Sequence, residues 1–372
     1  TDQGGAFEVE KTDKGNMLVQ QITADMKANE WGYTPEPVTT FGDDRWYNYS
    51  VNVDAAFATS QDAESNYVGV GLRYTLGCNS YSGYWIKLYE NGSWELKAND
   101  GTISSGSIDG FDGTASHNLK VEAVNNVIRG YIDGNMVAEY TVNEGESLIS
   151  AGRASLFSSY NKNSFDNFSA EPVEGNDTYV TRFDETDSCF TFEGNWEHNL
   201  MSSFKNYKRT ISHGTEGAYF TVDFEGTGII LTGVQKGDTV VSIEVDGKTV
   251  NKEYVISKIS NRQSFLLING LEQGSHTLKL TVVSGSCSVD AAQVLYDYEA
   301  VNKAITNETS SVAESTDSSD SVPEDNDKSA KSNGGGSGKG SFPFVPVVVG
   351  AAAVTAAIGA GVAIAKMKKK KD

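Results

Sequence analysis

Aromatic residues and an arginine surround one predicted hairpin in the first half of the chain. They are Arg73, Tyr84, Trp85 and Trp94. An aromatic ring stacks on the C–H face of a pyranose, while charged and amide groups fix the sugar hydroxyls. These residues are therefore candidate sugar ligands. The alternative is that Trp85 and Trp94 lie across the hairpin from each other as a core pair.

A second candidate group lies later in the chain, at predicted loops or strand ends. Its members are Trp196, Tyr207, Arg209 and Arg262. Their side chains offer the same combination of ring faces and guanidinium donors, and packing on the surface is the open alternative. Serine-hydrolase chemistry and phosphate binding have little support, because the chain has no Gly-x-Ser-x-Gly motif and no phosphate-binding glycine loop before a helix.

Period-two alternation predicts strands as the elements that hold these residues. Tyr49, Val51 and Val53 alternate with polar residues, and so do Phe220, Val222 and Phe224. Asn-Gly at 91–92 and Asp-Gly at 133–134 and 246–247 predict hairpins, the first two with type I′ turns. The expected fold class is all-β, with two antiparallel β-sandwiches: a concanavalin A-like sandwich over 1–172 and a jelly roll over 173–299.

The end of the chain predicts a membrane anchor. Residues 300–341 are rich in Ser, Thr, acidic residues and Gly, which predicts a disordered stalk. Residues 342–366 are almost free of charge and long enough to cross a bilayer as a helix, and 367–372 form a lysine-rich tail. A buried core helix is the alternative. Lysines beside a span stay in the cytoplasm, so the sandwiches are expected on the outside of a cell, with the lipid bilayer as a partner. The acidic stalk and lysine-tipped anchor resemble those of Gram-positive surface proteins, so we expect that kind of cell.

Charge and cysteine content limit the partners and the cross-links that the sequence predicts. The 372 residues carry a formal net charge of −20, which argues against nucleic acid as a partner. Cys189 and Cys287 lie near the two ends of the second predicted sandwich, where first and last strands are often neighbours. They are predicted either to form a disulfide or to remain buried thiols. No signal peptide pattern follows Thr1, so we expect the chain to be the C-terminal part of a longer protein.

The first predicted sandwich resembles the C-terminal lectin-like domain of galactocerebrosidase-type glycoside hydrolases. The residues that carry the resemblance are Gly5-Ala6-Phe7-Glu8, Thr39-Thr40-Phe41-Gly42-Asp43 with Trp46, Tyr67–Arg73, Gly83-Tyr84-Trp85-Ile86, Asn91–Trp94, His117-Asn118-Leu119, Gly130–Gly134 and Phe165-Asp166-Asn167-Phe168. The second resembles a galactose-binding-like domain through Ala218-Tyr219-Phe220, Phe224–Ile229, Val245-Asp246-Gly247 and Gly270–Leu278.

These resemblances imply a concanavalin A-like fold, glycan partners that include galactose-type sugars, and a structural Ca²⁺. The implied calcium ligands are Phe7, Glu8, Gly42, Asp43 and Asp166, with a simple bend at Asp166 as the alternative. In that family the catalytic glutamates lie on a (β/α)8 barrel, and no strand–helix alternation of that kind occurs here. The Glu-x-Asp-x-x-Glu spacing of sandwich glycosidases is also missing, so no catalytic residue is predicted.

Two functions follow from the sequence. The first is a membrane-anchored carbohydrate-binding portion of a glycoside hydrolase, whose parent enzyme is a retaining β-galactosidase. The second is a surface adhesin without enzymatic activity. A hydrolase active on the sandwich itself is a weaker third hypothesis.

Overall fold

The computed structural model describes residues 2–12, 15–24, 36–77, 80–99, 101–173, 179–200 and 206–296. All of them belong to one compact unit, Thr1–Thr316. The predicted stalk, anchor and tail lie outside these ranges. Within the described ranges, no helix has the length and apolar character that a membrane crossing requires.

Fourteen strands form the first sandwich. They are β1 (Asp2–Gln3), β2 (Phe7–Thr12), β3 (Gly15–Gln20), β4 (Val38–Phe41), β5 (Tyr49–Ala56), β6 (Tyr67–Gly77), β7 (Ser80–Tyr89), β8 (Ser93–Ala98), β9 (Gly101–Ser107), β10 (Ser116–Val124), β11 (Val127–Ile132), β12 (Asn135–Thr141), β13 (Arg153–Ser158) and β14 (Ser164–Pro172). Sheet A has the order β1-β4-β13-β6-β7-β8-β9, and sheet B the order β12-β11-β10-β5-β14-β3-β2. Every pairing is antiparallel.

Twelve strands and one short 3-10 helix form the second sandwich. They are β15 (Tyr179–Asp184), β16 (Phe190–Glu193), β17 (Trp196–Leu200), η1 (Tyr207–Arg209), β18 (Thr210–Thr215), β19 (Tyr219–Gly226), β20 (Gly228–Gln235), β21 (Thr239–Val245), β22 (Lys248–Ile256), β23 (Ile259–Ile268), β24 (Gly274–Ser284), β25 (Ser286–Val289) and β26 (Ala291–Tyr296). Sheet C is β15-β26-β20-β23, sheet D is β16-β19-β24-β21-β22, and sheet E is β17-β18-β25. The all-β antiparallel fold class is confirmed.

Alternating burial explains why these segments are strands. In β5 every second residue from Tyr49 onward is buried, and β10 follows the same pattern. Side chains of a strand point alternately to its two faces, so one face joins the core between sheets A and B and the other meets solvent or a neighbour. The same pattern in β21 and β24 builds the core of the second sandwich.

The two sandwiches pack directly against each other. A buried apolar cluster joins Tyr47 and Ala151 of the first to Val180, Ile230 and Leu295 of the second. Burying apolar side chains on both partners removes them from water and holds the sandwiches together.

Backbone hydrogen bonds cross the same interface. Leu148 and Ser264 exchange two of them, at 3.0 Å and 2.8 Å, and the Val180 N–H donates to the Arg45 carbonyl at 3.1 Å. The Gly145 N–H also donates to the Tyr254 hydroxyl at 2.7 Å. Hydrogen bonds of this kind also join neighbouring strands within a sheet. They therefore fix the position of one sandwich relative to the other.

Candidate carbohydrate-binding site

The aromatic candidates of the first sandwich are buried. Tyr84 and Trp85 each keep 1% of their surface exposed and Trp94 keeps 8%. A sugar can stack only on a ring face that solvent reaches, so the prediction of sugar binding by these three residues is wrong. The Tyr84 hydroxyl is also occupied, because it accepts a hydrogen bond from the Ile149 N–H at 3.1 Å.

Trp85 and Trp94 do not face each other, because they lie on opposite faces of sheet A. Trp94 is opposite Leu88 and belongs to the core between sheets A and B. Trp85 is opposite Lys97 and belongs to a cluster on the other face, where its ring stacks on Phe157 with centroids 5.1 Å apart. Both are core residues, but not a core pair.

Arg73 is a structural residue and not a sugar ligand. It is fully buried, and its guanidinium donates to the carbonyls of Tyr47, Asn125 and Ile149 at 2.8–3.0 Å. Its Cζ lies 4.6 Å from the centroid of the Tyr47 ring. Burial lowers the pKa of Arg73, and the carbonyl acceptors supply the hydrogen bonds that the charge needs. Arg73 thus ties together three loops beside the interface.

Two candidates of the second sandwich, Trp196 and Arg209, do not line an open site. The half-buried Trp196 ring packs 4.9 Å from Phe192, and its Nε1 donates to the carbonyls of Glu193 and Tyr219, each at 3.1 Å. Arg209 is half-buried in η1 and does not line a described cavity. The side chain of Arg262 lies outside the described residues.

Of the candidates whose side chains the structure describes, Tyr207 alone lines a cavity. The cavity measures about 520 Å³ and lies between the sandwiches. Its walls come from sheet A, the loop at 149–151, η1 and sheet C. The polar and aromatic residues of its lining include Asp44, Thr75, Ser82, Arg153, Arg182, Tyr207, Lys208, Asp290 and Gln293. This volume and its mixture of polar groups with one aromatic ring are typical of small-ligand sites.

Two carboxylates hold the turn that carries Tyr207. The Tyr207 N–H donates to Asp290 Oδ1 at 2.9 Å, and Lys208 Nζ lies 3.0 Å from Asp187 Oδ1. Lys208 and Arg209 have φ angles of 44° and 68°, a region that side-chain-bearing residues avoid. Strained backbone persists where its surroundings enforce it, and here the contacts with Asp290 and Asp187 hold the turn that places the ring at the cavity wall.

Buried acids lie behind this turn. Asp184 and Glu185 are at most 2% exposed, and the Thr210 hydroxyl is 3.0 Å from oxygens of both. Because a hydroxyl has one proton, it cannot donate to both carboxylates at once. Burial and the neighbouring Asp184 raise the pKa of Glu185 to about 7. Glu185 is therefore an ionisable group near neutrality beside the cavity, which the sequence analysis missed.

The three carboxylates predicted as calcium ligands, Glu8, Asp43 and Asp166, do not come together as a group among the described residues. Glu8 lies on β2 of sheet B and is exposed, whereas Asp43 follows β4 of sheet A. Arg45 binds both oxygens of Asp43 and lowers its pKa to about 2. Among the described residues, no three His, Cys, Asp or Glu side chains group as metal ligands. The Asp166 carboxylate accepts the Asn167 N–H at 2.8 Å, as expected for a bend.

The predicted disulfide is absent, because both cysteines are free thiols. Cys287 is buried in β25 of sheet E, with its Sγ 3.7 Å from Gln235 Nε2. Cys189 is half-buried and directly precedes β16 of sheet D. Burial raises the pKa of Cys287 to about 12, which leaves it a neutral thiol. The alternative of separate thiols is what the structure contains.

Sequence reasoning did not find Arg153, Arg182 or Gln293. Arg153 opens β13 and Gln293 lies in β26, far apart in the chain, and neither belongs to a recognisable motif. Only the packing of the two sandwiches brings them to one cavity, so no local pattern was available to identify them.

The packed sheets A and B make the first part of the chain a lectin-like β-sandwich. Residues 2–173 match the family model for the galactocerebrosidase C-terminal lectin domain. The resemblance inferred from the sequence is therefore confirmed for this part of the chain. No curated protein matches the sequence.

Solved structures with a similar fold have low sequence identity. Carbohydrate-binding module CBM66 from Bacillus subtilis is 14% identical, covers 45% of this chain and 96% of its own, and has a TM-score of 0.34. A Bacillus subtilis protein of unknown function with a galectin-like fold is 8% identical over 46% and 88%, with a TM-score of 0.36. The exoplasmic/lumenal domain of VIP36, in a form bound to Ca²⁺ and mannose, is 10% identical over 47% and 83%, with a TM-score of 0.34.

Proposed function

We propose that this chain is the carbohydrate-binding portion of a glycoside hydrolase and serves a retaining β-galactosidase of galactocerebrosidase type. The observation that carries the proposal is the match of residues 2–173 to the lectin domain of that family. A binding domain tethered to an enzyme raises the local concentration of substrate without adding catalytic contacts.

The cavity between the sandwiches is the proposed sugar site. Tyr207 offers a half-buried ring for stacking, and Arg153, Arg182 and Gln293 offer hydrogen-bond donors. These are the groups that a pyranose requires, and they are supported by strands and by a turn held in place. The buried aromatics of the first sandwich cannot serve this purpose.

A glycan array probed with the full chain in detergent tests the proposal. Binding to at least one glycan is expected, and Tyr207→Ala is expected to weaken it about fivefold, because a stacked ring contributes on the order of 1 kcal/mol. Tyr131→Ala is the matched control, since that ring lies on β11 away from the cavity. An array without any bound glycan overturns the proposed function, and unchanged affinity of the Tyr207 variant overturns the placement of the site.

We further propose that residues 342–366 tether the sandwiches to the outside of a Gram-positive cell. The support is the uncharged run followed by lysines, which remain on the cytoplasmic side of a membrane. Protease added to intact cells is expected to release the sandwiches. Sandwiches that resist protease until the cells are permeabilised contradict this orientation.

A further inference from the structure

Two arginines of the cavity have no carboxylate partner. Neither Arg153 nor Arg182 makes an ion pair or a side-chain hydrogen bond within the described part of the chain, although Arg182 Cζ lies 5.3 Å from the centroid of the Tyr207 ring. Both are half-buried and line the same cavity. In a protein with a net charge of −20, carboxylates are abundant, so two cations left without one at a single site require an explanation.

Two other arginines, Arg45 and Arg129, show the usual arrangement of a guanidinium beside a carboxylate. Arg45 binds Asp43 at 2.7 Å, and Arg129 binds Glu139 at 2.8 Å and Glu122 at 3.2 Å. Arg153 and Arg182 differ from them in facing a cavity instead of a carboxylate.

Among the described residues, the other charged side chains of the cavity wall form no ion pair with Arg153 or Arg182. Lys208 is paired with Asp187, and Asp290 accepts the Tyr207 N–H. Asp44 is exposed at the rim and lies beyond ion-pair distance of either arginine. Within the described part of the chain, the guanidinium donors of Arg153 and Arg182 therefore remain available to a ligand in the cavity.

A buried amide adds a second, independent observation. Gln293 is 5% exposed and lines the cavity, and its Oε1 accepts a hydrogen bond from the Ser150 hydroxyl at 2.8 Å. Its Nε2 has no acceptor among the described residues. Because Gln293 lines the cavity, this amide donor is available to an oxygen of a ligand there.

We propose that the cavity binds the acidic group of an anionic sugar, either a carboxylate or a sulfate ester. This inference rests on the proposed function and specifies its ligand class. Guanidinium groups match carboxylate and sulfate oxygens with two parallel hydrogen bonds, and such charge-assisted bonds are stronger than neutral ones. Arg153 and Arg182 bind the acidic group, the Tyr207 ring lies against the sugar, and Gln293 donates to a ring or hydroxyl oxygen.

Three matched oligosaccharides test this inference with the full chain by isothermal titration calorimetry. One is neutral, one carries a uronic acid in the same position, and one carries a sulfate ester there. At least one acidic form is expected to bind ten or more times tighter than the neutral one, and the tighter of the two identifies the group. Its affinity is expected to fall as salt is raised from 50 to 500 mM.

Substitutions show whether the cavity is responsible. Arg153→Gln and Arg182→Gln are each expected to remove the preference for the acidic form, whereas Arg129→Gln, on β11, is expected to keep it. Inorganic sulfate is expected to compete with the acidic sugar in the unchanged protein. Equal affinity for neutral and acidic forms overturns the inference while the proposed function stands. An acidic preference that survives both cavity substitutions also overturns it, and no binding of any form overturns the function itself.

Discussion

Glu185 makes the stability of the protein depend on pH near neutrality. In the unfolded chain its pKa is the ordinary 4.5, and in the fold burial and Asp184 raise it to about 7. Below pH 4.5 both states are protonated and the stabilising effect of the neutral carboxyl is complete. As the pH rises to 7 the unfolded state releases its proton first, so the fold loses up to about 3 kcal/mol.

The substitution Glu185→Gln is therefore expected to have an effect that depends on pH. Glutamine keeps the shape of the protonated acid and cannot ionise, so the variant is more stable than the native protein at pH 8 by up to about 3 kcal/mol and equal to it at pH 4. Denaturant titrations at both values measure this, with the exposed Glu225→Gln on β19 as control. A gain of the same size at both values would assign the effect to packing.

Residue types alone did not reveal which side chains are accessible. Alternation in β7 correctly separates Trp85 from its neighbours, but both faces of sheet A are buried at this point. A rule that assigns one face to the core and the other to ligands therefore fails here. Arg73 shows the same limit, because a buried arginine whose guanidinium binds carbonyls has the same sequence signature as an exposed sugar ligand.

The positions of the hairpins were predicted well from dipeptides, because Asn-Gly and Asp-Gly readily adopt the positive φ angles of tight turns in most surrounding sequences. Asp133-Gly134 and Asp246-Gly247 have positive φ at both positions, as a type I′ turn requires. The prediction of type I′ for Asn91-Gly92 is wrong. Only Gly92 has positive φ, and its N–H donates to the Tyr89 carbonyl, which makes a three-residue loop that includes Glu90. The Asn91 side chain instead accepts the Ser93 N–H at 2.9 Å.

The hairpins that contain Gly92 and Gly134 give a matched pair of substitutions. Gly134→Ala places a Cβ in open space at φ 76°, so the expected cost is the left-handed strain of about 1 kcal/mol. Gly92→Ala has similar strain at φ 84°, but its Cβ lies 2.6 Å from the Phe111 Cβ. Phe111 stacks on His117 at 4.2 Å and cannot move freely, so overpacking adds about 1–3 kcal/mol. Denaturant unfolding followed by tryptophan fluorescence compares the two, and equal losses would refute the packing argument.

At the scale of the whole molecule, the interface could not be predicted from the sequence. Its apolar residues are scattered from Tyr47 to Leu295, and each belongs to a strand or loop whose local pattern is explained without it. The sequence indicated two sandwiches but not that they share a buried surface. The candidate site depends on that surface, because its lining residues come from both sides.

The shared surface predicts that both sandwiches unfold together. Scanning calorimetry of the full chain is expected to show one transition for the two, since separating them exposes the cluster around Val180 and breaks the Leu148–Ser264 bonds. Val180→Asp places a carboxylate in that cluster without an ion-pair partner, which costs several kcal/mol, so its scan is expected to resolve two transitions. Val9→Asp is the control, because Val9 is 70% exposed on β2, an edge strand of sheet B that contributes no residue to this cluster. Two transitions in the native protein would show that the interface does not couple the sandwiches, and the cavity would then lack the rigid walls that selective binding of a glycan needs.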